Sequence, residues 1–216
     1  MGTADVTYPV GLSRDLPMKR AMRAEVAGKD LVVWRNSNGA LAAWDNRCPH
    51  RGMRLSHGFV RGDNLACLYH GWQFNADGQC AYIPAHPDLE PPSTIRTVAY
   101  RVAETGGVIW VALEGAAMSP DLDPASEPLR SLTASCSKED IRSAAAATEM
   151  PGRRHSETAP ARFDFGAFST VLLFNSLAST TLVHVLISGV ATRADKKHLS
   201  RWCEAWRRRA EATAEV

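Results

Sequence analysis

Short apolar runs broken by turn residues dominate the first half of the chain. Residues 28–36 (GKDLVVWRN) and 40–45 (ALAAWD) read as strands joined at Ser37-Asn38-Gly39. Asn-Gly between apolar runs signals a hairpin, because both residues tolerate positive φ. Leu65–Tyr69 is short and apolar. Trp72-Gln73-Phe74, Asp77-Gly78 and Cys80-Ala81-Tyr82-Ile83 read as another hairpin, and Thr97–Ala103 with Gly107–Leu113 as a last pair. Residues from about 20 to 115 therefore predict a compact antiparallel β unit.

The pattern then changes. Residues 116–160 are rich in Ala, Ser, Pro, Asp and Glu and poor in large apolar groups. Such a stretch buries little surface and is expected to be a poorly ordered linker, with a helix around Ala144–Ala147 inside Ser137–Met150. From Phe165 to Val190 the only ionisable residue is His184. The run is long enough to span a bilayer, yet it breaks at Asn175-Ser176 and reads as two buried strands. Leu199, Trp202, Cys203, Trp206 and Ala210 fall on one stripe of a closing amphipathic helix. The expected class is mainly β, α+β overall. Its expected divisions are a β domain with an N-terminal extension at 1–115, a linker at 116–160, and a strand pair plus helix at 161–216.

Composition changes this picture little. The chain has 216 residues, 45% of them hydrophobic, and a net charge of +2. That balance does not point to nucleic acid, and Arg207-Arg208-Arg209 reads as a solvated helix face. Five cysteines, three of them scattered, suggest no disulfide framework. The start MGTADVTYPV lacks the pattern of a secretory signal, and free thiols fit a cytoplasmic setting.

Chemistry concentrates in two clusters. Cys48-Pro49-His50 is followed, sixteen residues later, by Cys67-Leu68-Tyr69-His70. Two thiolates can hold one iron of a [2Fe–2S] centre and two imidazoles the other. Four thiolates would leave the oxidised centre doubly negative. Two thiolates with two neutral imidazoles leave it neutral, which eases reduction. Gly52 and Gly71, just after the histidines, suit tight turns that free backbone N–H groups for sulfur. A zinc site is the alternative for two Cys and two His, but Cys-x-His is tighter than the usual zinc pair.

CPHRG (48–52), CLYHGWQF (67–74), Gly78 and Ile83-Pro84 resemble the Rieske domain of the ring-hydroxylating and O- or N-demethylating oxygenases. The vanillate demethylase-like branch is nearest, and Tyr8-Pro9-Val10-Gly11 and Gly107–Leu113 are similar to it too. The resemblance covers residues 8–115. It implies Cys48, His50, Cys67 and His70 as ligands of a Rieske-type [2Fe–2S] cluster. It also implies electrons arriving from an NAD(P)H-dependent reductase or a ferredoxin and passing to a mononuclear iron in a neighbouring subunit of a trimer. The Rieske proteins of respiratory and photosynthetic complexes resemble it less. Their extra loop cysteines correspond to Met53 and Tyr69, and their cluster-facing hydroxyls to Trp72 and Phe74. Fewer hydrogen bonds to sulfur imply a potential at the low end of the Rieske range.

The oxygenases also carry a ferrous iron on two closely spaced histidines and a carboxylate. Beyond residue 115 the histidines are His155, His184 and His198, and none makes that pair. A His155-Ser156-Glu157 site with His184 or His198 is the weaker alternative. The catalytic residues are therefore not identified, and no mononuclear Fe(II) is expected in this chain. The chain is expected to be an electron-transferring oxidoreductase subunit of an aromatic hydroxylation or demethylation system, partnered by a full-length oxygenase subunit. A stand-alone Rieske ferredoxin-like carrier is the alternative. His184 is expected to be half-buried, His57 and His86 exposed, and Cys80, Cys136 and Cys203 inert.

Overall fold

The computed structural model describes residues 7–113, 122–150 and 161–214, and the backbone of 156–159. The chain divides into two compact units, the second running from residue 121 onward and including the turn Thr105–Val108.

In the first unit, β1 (Thr7–Leu12), β2 (Arg20–Val26), β3 (Lys29–Arg35) and β4 (Leu41–Asp45) come first. They are followed by β5 (Phe59–Arg61), β6 (Asn64–Ala66), β7 (Gln73–Phe74), β8 (Cys80–Tyr82), β9 (Ala99–Thr105) and β10 (Val108–Ala112). Six of these make one sheet in the order β1-β10-β9-β4-β3-β2, and the other four make a smaller sheet, β5-β6-β7-β8. Tyr8–Gly11 lies in β1, an edge strand of the larger sheet.

Strand β3 shows why the unit holds two cores. Side chains alternate across a strand. Leu31 and Val33 join Val26, Ala43, Ile109 and Val111 on one face. Val32 and Trp34 join Trp44, Leu55, Leu65 and Phe74 on the other, where Cys48, Cys67 and Cys80 are also buried. That second core contains residues of both sheets, so the cysteines sit where the sheets pack. Trp34 and Trp44 meet edge to face at 5.1 Å, and Trp44 anchors its indole N–H on Ala76 O at 3.0 Å.

The second unit contains β11 (Glu127–Ala134), α1 (Lys138–Ala146), β12 (Ser156–Ala159), β13 (Arg162–Asp164), β14 (Phe168–Ser176), β15 (Thr181–Gly189) and α2 (Arg193–Ala214). Its sheet runs β11-β15-β14-β13-β12. The expected strand pair at 165–190 is β14 and β15, paired from Phe168↔Gly189 to Ser176↔Thr181. Among the described residues no helix is long and apolar enough to cross a membrane. The helical stripe is present as read: Leu199, Trp202, Cys203, Trp206 and Ala210 are all at most 1% exposed.

The composition of 116–160 predicts a poorly ordered linker, and here the structure differs. Its described part holds β11, α1 and β12. Strand β11 needs no large side chains because it pairs with β15 from Glu127↔Ile187 to Ala134↔Thr181. Helix α1 begins at a reciprocal capping box between Ser137 and Asp140. It buries Ile141 and the small Ala144 and Ala145 in one core with Phe163, Phe165, Trp202 and Trp206. Arg209 donates to Ala147 O at the other end of α1. The Arg207–Arg209 run is therefore a paired face: Arg207 bridges Glu204 and Glu211, and Arg208 bridges Glu204.

Candidate iron–sulfur site

Two hairpins of the same construction carry the candidate ligands. In the first, Cys48 N–H donates to Met53 O at 2.8 Å and Gly52 N–H returns to Cys48 O at 2.8 Å. In the second, Cys67 N–H donates to Trp72 O at 2.8 Å and Gly71 N–H returns to Cys67 O at 3.0 Å. The returning residue has φ of +72° at Gly52 and +70° at Gly71, a region costly for residues with a Cβ. The histidine occupies the third place of the first hairpin and the fourth of the second. Both clusters read from the sequence are thus the tips of matched fingers.

Burial separates the two ligand types. Cys48 and Cys67 are 3% and 2% exposed, His50 is half-buried and His70 exposed. The ring centroids of His50 and His70 are 4.7 Å apart. His50 lies flat on Trp72, at 4.2 Å and 5° between planes, and Tyr69 stacks on His70 at 3.9 Å. Leu68 and Tyr69 are 55% and 60% exposed, so the histidine end of the site opens onto an apolar and aromatic rim.

The electrostatics favour an occupant that carries positive charge. Burial pushes the Cys48 thiol up to about 11, and the nearby Cys67 adds to the rise, against the backbone N–H groups of His50 and Arg51 that favour thiolate. A cation beside the buried Cys48 sulfur would favour its thiolate, as iron would. His50 is pulled below its ordinary value by desolvation and then by the charges of His70 and Arg51, which favours the neutral ring that ligates. Among the described residues no three His, Cys, Asp or Glu side chains gather for a single metal ion. A binuclear cluster asks for only two per iron. The residues present fit such a cluster.

The comparisons agree with the geometry. Residues 6–98 match the family model described as the Rieske [2Fe-2S] domain. Residues 6–98 are a Rieske domain. The Rieske domain implies a [2Fe–2S] cluster. The chain is 40% identical over 107 residues to oxidoreductase NdmD of Pseudomonas putida, an alignment covering 49% of this chain and 18% of that protein. It is 39% identical over 102 residues to the 3-chlorobenzoate-3,4-dioxygenase oxygenase subunit of Comamonas testosteroni, covering 47% of this chain and 24% of the relative. The matched region is thus under a quarter of either relative. The crystal structure of dicamba monooxygenase aligns with a TM-score of 0.74 over 98% of this chain and 87% of that one. At 17% identity that likeness is one of fold.

Of the other residues singled out from the sequence, Cys80 shares the core that buries Cys48 and Cys67. His155 lies outside the described residues. His184, expected to be half-buried, is 1% exposed on β15, with Nδ1 2.8 Å from Ser131 Oγ. Its strand is covered on both faces, which a single apolar run does not reveal. His198 is half-buried on α2, and His57 and His86 are exposed. Desolvation raises Cys80 and Cys136 and pushes Cys203 up to about 12, so all three favour the thiol. Sequence reading missed Asp30 and Asn46, which bond one another beside the first hairpin. No local motif marks that pair, because strand register brings it together.

Proposed function

We propose that Cys48 and Cys67 hold the inner iron of the cluster and His50 and His70 the outer one, and that the chain relays single electrons between redox proteins. The observation that carries this reading is the division of the ligands: both sulfurs are walled into the inter-sheet core, and both imidazoles meet at the open end. When bound, the cluster supplies one-electron redox chemistry. The chain's own part is to exclude water from the sulfurs, favour the neutral ring of His50 and present the imidazole edges to a partner.

The donor in this reading is an NAD(P)H-dependent reductase or a ferredoxin. The acceptor is the mononuclear iron of a full-length oxygenase subunit, in a complex that hydroxylates or demethylates aromatic compounds. Relatives named as an oxidoreductase and as an oxygenase subunit support it. So does the second unit, whose separate aromatic core is more than a stand-alone carrier requires.

The test is anaerobic reconstitution of the full chain with iron and sulfide. Two irons and two sulfides per chain, with a rhombic EPR signal after dithionite whose average g lies below the free-electron value, support the assignment. Serine at Cys48 or Cys67 should abolish the signal. A colourless, EPR-silent chain that folds normally would refute it.

A further inference from the structure

The first ligand hairpin is tied across its base by polar residues that bind no iron in the proposed site. Asn46, two residues ahead of Cys48, is 0% exposed. Its Nδ2 donates to Asp30 Oδ1 at 3.1 Å. Its backbone N–H donates to Asp30 O at 2.9 Å. Its Oδ1 accepts the Ser56 N–H at 2.7 Å. The amide orientation is therefore dictated: the NH₂ must face a carboxylate and the carbonyl a backbone donor. On the far side of the hairpin, Arg54 Nε lies 3.3 Å from Asp30 Oδ2. Arg23 on β2 donates to Asp30 Oδ1 at 2.6 Å. One carboxylate on β3 thus reaches both ends of the segment 46–54, and Asn46 also bonds Ser56, two residues beyond it.

We infer that Asp30 and Asn46 are positioning residues for the first cluster hairpin, fixing the span of Cys48 and His50 before any iron is present. The inference rests on the reading of Cys48 and His50 as ligands. Its physical content is preorganisation. A hairpin already closed at its base loses little conformational freedom on taking up the cluster. A hairpin open at its base can swing His50 away from iron, and an iron site that loses an outer support is vacated sooner.

The test follows bleaching of the reconstituted full chain by excess chelator under nitrogen. Asn46→Asp sets two carboxylates against each other and should speed release by about tenfold or more. Asp30→Asn should speed it less. The exchange Asp30→Asn with Asn46→Asp restores one amide facing one carboxylate and keeps an acceptor for Ser56, so it should release more slowly than Asn46→Asp and no faster than Asp30→Asn. Hydrogen exchange on the apo chain supplies the second readout. In Asn46→Asp the amides of Cys48 and Gly52 should exchange faster while those of Cys67 and Gly71 do not. Equal acceleration in both hairpins, or release at the wild-type rate, would overturn the inference. Should the variants at 30 and 46 fail to fold, Arg54→Met and Arg23→Met decide it. Both remove a partner of Asp30, but only Arg54 belongs to the hairpin. Faster release from Arg54→Met alone supports the tie, and equal rates refute it. A wild-type chain that takes up no cluster would instead strike the ligand reading itself.

Discussion

Trp72 lies face to face with His50, centroids 4.2 Å apart and planes within 5°. Trp72 closes the second hairpin, whereas His50 belongs to the first, so the stack couples the two fingers. Aromatic pairs of this kind contribute roughly 0.5–1.5 kcal/mol beyond burial. Trp72→Leu should therefore weaken retention of the cluster several-fold while leaving the sheets intact. Chelator bleaching beside far-UV circular dichroism checks both halves of the statement.

The positions that carry hydroxyls in the respiratory and photosynthetic Rieske proteins are filled here by Trp72 and by Phe74, which is fully buried. Neither supplies an O–H to sulfur, so the reduced state gains less stabilisation. The midpoint should fall toward the negative end of the Rieske range, about −150 to +300 mV. Protein-film voltammetry giving a clearly positive value would contradict this. His70→Cys should keep a cluster, shift its visible spectrum and lower the midpoint further, since a thiolate adds negative charge.

Gly52 and Gly71 perform the same turn in different surroundings. A Cβ at Gly52 meets nothing within 4 Å, whereas one at Gly71 lies 3.1 Å from Pro84 Cγ. Alanine at Gly52 should cost only the left-handed backbone penalty, about 1–2 kcal/mol. Alanine at Gly71 should cost that and the displacement of Pro84. Chemical denaturation of the two variants should rank them in that order.

In the second unit, Trp202 packs edge to face on Phe163, Phe165 and Trp206 and donates its N–H to Thr148 O at 2.6 Å. Trp202→Ala removes the packing and strands a carbonyl, and should cost about 3–5 kcal/mol. The midpoint of guanidinium unfolding measures it.

Acid should act on α2 through Glu204. The Arg207 hydrogen bond, joined by the charges of Arg207 and Arg208, holds this carboxyl down at about 2. The folded value lies below the unfolded one of about 4.3. Its contribution is therefore present above the unfolded value and is lost as pH falls through the folded one. The group is a third exposed, so the gain should stay below about 1 kcal/mol. Glu204→Gln should be slightly less stable than wild type at pH 7 and equal to it near pH 2, as acid titration of thermal stability would reveal.

The sequence shows the residues proposed to hold iron, because ligation needs particular side chains at short spacings, and Cys48, His50, Cys67 and His70 stand in two such groups. It exposed the β3–β4 hairpin and the α2 stripe for the same local reason. Asp30 and Asn46 escaped notice because a strand register, Glu25↔Asp30 and Val32↔Trp44 among its pairs, decides what faces what. Strand β11 and helix α1 were hidden by composition: alanines and backbone pairing achieve there what large apolar residues do elsewhere. Strand β2 is an edge strand in which Arg20, Arg23 and Glu25 interrupt the apolar positions.

Each finger keeps its shape through main-chain bonds, Cys48 to Met53 and Cys67 to Trp72. The exposed tip side chain of Leu68 takes no part in those bonds. The grip on the metal and the face offered to other molecules are thereby separately adjustable. Such a scaffold can be retuned for a new redox companion by exchanging a few outward groups, with the metal-holding architecture left as it stands.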